Sequence, residues 1–199
     1  MKTAMTTAAT VLGLYTANAY AGSAEIMVGT ESATLDAKIA APIAGPVGFF
    51  CRDRMTVTYP NTVSNFGVMD IIYKIGNGFD AVGEVQFAQT ATPWIGAQYA
   101  HTFEQSNLTV YALAVVQGAL PFYAQTDLVL QWTPEVTKNI DGFLQVESAH
   151  YFGARGYDFG KTLMRVGAKK DTFAFGLAAD VSTGKSVDAN FGIFAMEKF

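Results

Sequence analysis

A chain of 199 residues that is half hydrophobic and only 15% charged falls well below the roughly 25% charge of an ordinary soluble domain. Its formal net charge of −4, with no basic run, excludes the electrostatic footprint of a nucleic-acid binder. A single cysteine, Cys51, excludes an internal disulfide framework.

Residues 1–21 read as a secretory leader. Lys2 supplies a minimal positive start, "AATVLGLYTANAYA" an apolar stretch, and Ala19-Tyr20-Ala21 an A-x-A cleavage site followed by Gly22 and Ser23. Loss of Lys2 takes the formal charge from −4 to −5. Cys51 lies too far from this site to serve as a lipoprotein anchor. No later stretch reaches the roughly 18 apolar residues of a spanning helix. The best candidate, "IAAPIAGPVGFF", is broken by Pro42 and Pro46. Residues 22–199 are therefore expected to form one domain, held in any membrane by something other than helices.

Beyond residue 30 the chain repeats one plan: a run of period-2 alternation, then a turn signal. Strands are predicted near 32–40, 47–59, 64–75, 79–89, 93–104, 107–118, 122–133, 140–152, 160–169, 172–182 and 187–199, with a weaker one at 24–29. Asn77-Gly78 is the dipeptide that a type I′ hairpin prefers. Ser106-Asn107, "KKD" at 169–171 and "TGK" at 183–185 are also tight connections. No intervening segment has helical spacing and length, so consecutive hairpins in an antiparallel meander follow.

The strand faces narrow the architecture. Met69, Ile71, Tyr73 and Ile75 oppose Asp70, Ile72 and Lys74; Val85 and Phe87 oppose Glu84 and Gln86. Leu128, Leu130 and Trp132 oppose Asp127, Val129 and Gln131; Phe173, Phe175 and Leu177 oppose Ala174, Gly176, Ala178 and Asp180. In "LTVYALAVV" the larger set is Tyr111, Leu113 and Val115, against Val110, Ala112 and Ala114. One face is large and apolar and the other small or polar. A soluble barrel or sandwich turns the large face inward, whereas a transmembrane barrel turns it to lipid.

Three features favour the membrane. The predicted strands exceed the five or six residues typical of globular sheets and suit the roughly 9–11 of a tilted span. The polar face is rich in Gly, Ala and Gln and poor in Lys and Glu. Aromatic residues gather near strand ends, among them Tyr59, Trp94, Phe103, Phe122, Tyr123, Trp132, Tyr151, Phe152 and Phe199, as interface girdles require. Trp94, Trp132, Tyr151 and Phe199 are expected at the membrane interface. The longest connection is expected to be "FGARGYDFG" (152–160), at the end opposite most short turns, with "PEVTKN" an exception on the short side.

Taken together, the leader, the amphipathic meander over 24–199 and the aromatic C-terminus resemble small Gram-negative outer-membrane β-barrel, porin-like proteins. That resemblance implies an all-β, antiparallel up-and-down barrel of about 12 strands (10–12), placed in the outer membrane after export. It also implies membrane lipid as a partner and recognition of the last strand by the barrel-insertion machinery. The final strand fits through Phe199, Ala195, Ile193 and Phe191. Glu197 breaks the alternation, and in a membrane it must sit at the periplasmic rim. Homo-oligomers are compatible with this class.

Chemistry-bearing constellations are sparse. "GNG" at 76–78 is a turn rather than a nucleotide cradle, and no paired-Cys metal site exists. His101 and Glu104, like Glu147 and His150, are three apart and fall on opposite faces of a strand, so no metal or other cofactor is expected. Ser148 and His150 are two apart, share an outward face with Leu144 and Val146, and could form an activated pair. They resemble outer-membrane lipid hydrolases, in which the His precedes the Ser. Here the order is reversed and no orienting acid is identifiable, so chance placement is the stronger reading and no catalytic residue is expected. "CRDR" puts Arg52 and Arg54 on one face and Asp53 on the other. Inside a barrel the arginines would oppose acids such as Glu84 and Glu147, tuning selectivity or filling the lumen as salt bridges.

The sequence thus predicts a narrow passive pore for small solutes or ions, or a structural barrel, with Arg52, Arg54, Lys74, Glu84, Gln98, Gln131, Glu147 and Arg165 lining the lumen. Short loops argue against an elaborate receptor. The alternatives are a secreted soluble barrel or sandwich that binds a ligand or self-assembles in the envelope, and a lipid hydrolase using Ser148 and His150.

Overall fold

A computed structural model describes residues 21–88, 90–118 and 122–199. The expected leader lies outside the described residues except for Ala21, which opens the first strand. Strands β1 (Ala21–Gly29), β2 (Ser32–Ala44), β3 (Val47–Thr58), β4 (Thr62–Gly76) and β5 (Phe79–Phe87) run antiparallel in sequence order. β6 (Ala91–Phe103), a short 3-10 turn (Glu104–Ser106), β7 (Leu108–Gln117) and β8 (Ala124–Trp132) continue the meander. β9 (Glu135–Thr137), β10 (Ile140–Gly153), β11 (Gly156–Lys170), β12 (Phe173–Thr183) and β13 (Val187–Lys198) complete it.

The sheet closes on itself. β1 pairs with β13 as well as β2, from Ser23 opposite Lys198 to Gly29 opposite Gly192, and β8 pairs with β10. Twelve strands form the ring, and β9 is a short addition folded onto the foot of β10. Closure removes both edges of the twelve-stranded ring, leaving only the short β9 with a strand partner on one side.

Alternation then decides where every side chain goes. Ile71, Ile95, Leu177 and Ile193 are 52%, 64%, 64% and 63% exposed, whereas Asp70, Gln131 and Arg165 retain 3%, 3% and 2%. This is a globular protein turned inside out: polar and charged groups are buried, and large apolar ones cover the outside. The hairpin at Asn77-Gly78 takes positive φ at both residues, 54° and 85°, as its type requires. Gly167 and Gly176 stand opposite one another on β11 and β12. A Cβ on either would strike the neighbouring strand's carbonyl, that of Phe175 or of Val166, so glycine lets the wall close tightly there.

The inside is not uniformly polar. Met27, Phe143, Ala174, Ala178, Phe194 and Met196 form one buried cluster, with the Phe143 and Phe194 rings 5.6 Å apart. Val82, Leu113 and Val115, with Trp94 and Tyr111 against them, form another on β5–β7. The faces of β7 are consequently opposite to the expectation: Tyr111, Leu113 and Val115 point inward, and Val110, Ala112 and Ala114 outward. Both faces of that strand are apolar, and the larger set fills interior space. The expected long connection at 152–160 is also absent. β10 and β11 run into a tight hairpin whose link is Ala154-Arg155, with a bulge after Tyr151.

Candidate functional site

The inward face of β3 presents Arg52 and Arg54, with Asp53 exposed on the outer face. Arg52 grips Asp36 of β2 with both arms of its guanidinium, Nε donating to Oδ1 at 2.9 Å and Nη2 to Oδ2. Its Nη1 donates to Oε1 of Glu147 on β10. β3 and β10 face each other across the ring, separated by β4–β8 on one side and by β11–β13, β1 and β2 on the other. The Arg52–Glu147 pair is therefore a bar across the lumen. Lys38 Nζ reaches the other oxygen of Glu147 at 3.2 Å.

A second pair of arginines extends the network. Arg54 Nη2 donates to Asp180 Oδ2 at 2.9 Å, and Arg165 Nη1 to Asp180 Oδ1 at 2.7 Å. Arg165 also donates through Nε and Nη2 to Glu25 Oε1, at 2.9 and 2.7 Å. Burying such charges is tolerable because each is paired and hydrogen-bonded.

The facing wall is different. Asp70 of β4 lies opposite Glu84 of β5 in register, and Asp127 projects from β8. Gln86 Nε2 donates to Glu84 Oε1 at 2.6 Å and to Gln125 Oε1; Gln125 Nε2 donates to both oxygens of Asp127 at 2.9 Å. An amide chain thus ties β5 to β8 and holds the carboxylates in place. Between the walls lies a cavity of about 320 Å³, lined among others by Lys38, Arg52, Asp70, Glu84, Asp127 and Tyr151.

Of the residues expected on the lumen, Arg54, Glu84, Gln98, Gln131, Glu147 and Arg165 are buried on the inner face. Arg52 and Lys74 share that face and are half-buried. Gln98 donates to Asp80 Oδ2 at 2.8 Å, and Gln131 accepts from Lys198 Nζ at 3.0 Å. The interface aromatics divide. Trp132 is 45% exposed on the outer face, with Nε1 donating to the Ser106 carbonyl at 3.0 Å, and Phe199 is 66% exposed at the seam. Trp94 and Tyr151 instead turn inward. Trp94 packs on Val82, Leu113 and Val115, and Tyr151 lines the cavity with its ring 5.7 Å from Phe159. The signal was in the sequence: Trp94 shares its strand parity with Gln98, and Tyr151 with Glu147. The same parity marks Lys38, Asp36, Glu25 and Asp180, partners that charge type alone did not single out.

Glu197 is exposed on the outer face at the foot of β13, opposite Phe173 and Ala24. Ser148 and His150 face outward, Ser148 Oγ lying 3.0 Å from His150 Nε2 and 3.1 Å from Thr162 Oγ1. Among the described residues no carboxylate hydrogen-bonds His150, so the pair lacks the orienting group that a triad needs. Glu147, its neighbour in sequence, points the other way into the lumen.

No family model matches the chain, and no curated protein does. Among solved structures, the chain is similar to a KdgM porin in complex with disordered oligogalacturonate. The TM-score is 0.52 at 10% identity, over 90% of this chain and 99% of that one.

Proposed function

We propose that the chain is an outer-membrane β-barrel that acts as a narrow passive pore for small solutes or ions. The observation that carries this reading is the inversion of the wall, with a closed ring whose outside is apolar from strand to strand and whose mid-strand charges, Asp53 apart, point into the lumen. Soluble monomers rarely expose contiguous apolar patches beyond a few hundred Å²; lipid makes such a face stable. A barrel fold shared with a porin supports the same reading.

Solute passage would be diffusive, through the cavity between the Arg52–Glu147 bar and the acidic wall, with no covalent step and no cofactor. The ends of the barrel carry aromatic side chains suited to headgroup depth: Phe79, Tyr99, His101 and Phe103 stack along the foot of β5 and β6. The foot, where Gly22 meets Phe199, faces the periplasm in this reading, after the leader is cleaved and the insertion machinery engages β13. Detergent dependence, heat-modifiable gel mobility and conductance in a planar bilayer test the proposal. A protein that stays monodisperse in buffer without detergent and leaves bilayers silent would overturn it.

A further inference from the structure

We infer that the lumen prefers cations, and that Asp70, Glu84 and Asp127 form a binding wall for a small ammonium-bearing solute; this rests on the pore reading above.

Charge matching is the first ground. Lys38, Arg52, Arg54 and Arg165 are satisfied by Asp36, Glu147, Asp180 and Glu25. That network is balanced, four cations to four carboxylates. The charges left on the cavity lining are Lys161 against Asp70, Glu84 and Asp127, and among the described residues no cation pairs with those three acids. On this lining the unmatched charge is negative, and it lies on β4, β5 and β8; Lys198, on the same inner face but off the lining, donates to the Gln131 amide.

The second ground is an open acceptor. Asp70 is 3% exposed and lines the cavity, yet its Oδ1 has no hydrogen-bond partner among the described residues. A buried carboxylate oxygen without a donor is costly, and a cation in the cavity would supply one. Glu84 and Asp127 are already oriented by Gln86 and Gln125, so the wall needs little rearrangement to receive a ligand.

Ligand class follows from the surroundings. Among the described residues no group of three His, Cys, Asp or Glu converges closely enough for a metal ion. Tyr111 and Tyr151 line the same cavity, and aromatic faces attract ammonium groups. At about 320 Å³ the space suits a small organic ligand. Oligogalacturonate, bound by the structurally similar porin, carries a carboxylate on each sugar and would meet repulsion at this wall.

The test is the reversal potential of the full barrel in a planar bilayer under a KCl gradient, with spermidine and a short oligogalacturonate added in turn. A cation-to-anion preference of about sixteenfold is expected, since two unmatched charges acting at about 10 Å across water enrich a monovalent cation about fourfold and deplete an anion about fourfold. Asp70→Asn and Asp127→Asn, made singly so that one misfolding variant leaves the other, should each lower that ratio toward unity. Spermidine should block and oligogalacturonate should not. An anion-selective channel, or a ratio unmoved in both folded variants, overturns the inference. If the barrel inserts without conducting, the pore reading fails. The site is then judged by calorimetry of spermidine on the detergent-solubilised barrel, where binding lost in Asp70→Asn sustains it and no binding overturns it.

Discussion

Replacing Glu147 with glutamine removes the centre of the lumenal network while keeping its shape. Wild-type Glu147 receives Arg52 Nη1 from across the ring and Lys38 Nζ at 3.2 Å. Breaking a buried pair by removing one partner costs about 3–5 kcal/mol. Arg52 keeps its two-armed grip on Asp36, and the glutamine carbonyl can still accept one bond, so the low end applies, about 3 kcal/mol. For a domain of this size each kcal/mol moves the midpoint by about 2–4 °C, giving a fall of about 6–12 °C. The assay is thermal loss of the compact, heat-modifiable form in detergent, read beside single-channel conductance. Conductance should rise, because the bar between β3 and β10 is loosened. A midpoint within about 2 °C of wild type, together with unchanged conductance, would refute the bridging role of this pair.

Phe143→Ala empties a buried ring position against Phe194; a loss of about 3–5 kcal/mol is expected, measured in the same thermal assay. Asp53→Ala should act in the opposite sense, since Asp53 is exposed on the outer face between Ala37 and Gly67. Removing a lipid-facing carboxylate should stabilise the folded barrel by about 1 kcal/mol, read from urea refolding into lipid. The chain has two tryptophans, which allows a test of wall direction: with Trp94→Phe the remaining Trp132 should be quenched by brominated lipid, and with Trp132→Phe the remaining Trp94 should not. Ser148→Ala should leave lipid-ester hydrolysis at the level of the wild-type background, since among the described residues no carboxylate hydrogen-bonds His150.

The twelve strands were legible because lipid-facing and lumen-facing positions alternate without exception through Met69–Ile75, Leu128–Trp132 and Phe173–Leu177. Period-2 alternation fixes which residues share a face, and charge usually says which face is inside. Where charge is missing the inference fails, as on β7. Val110 and Leu113 are both apolar, and only the packing of Leu113 with Val82 and Val115 decides between them. Trp94 and Tyr151 mislead for another reason: both lie near strand ends, where interface rings gather, yet parity with Gln98 and Glu147 turns them inward. Opposition of Arg52 to Glu147 inside a barrel was legible, but that Arg52 pairs with Glu147 and not with Glu84 depends on which strands face each other. That in turn depends on closure and strand number.

The seam between β1 and β13 gives the barrel an unusual order of dependence. Every other pairing in the ring joins strands consecutive along the chain, or β8 to β10 across the three-residue β9, so each hairpin can form as soon as its second strand exists. The seam sets Ser23 opposite Lys198, and Gly22 and Phe199 exchange backbone hydrogen bonds at 2.8 and 3.0 Å. Until it forms, the sheet is an open ribbon with two unpaired edges, each a template for a strand of another molecule. The open β1 edge can accept a second copy's β13 in place of its own, against the effective concentration that the shared chain gives its own strand. Dilution, rather than any local propensity, is then what decides between a closed monomer and a strand-exchanged assembly. The final ten residues act as the clasp of a bracelet whose links are already made.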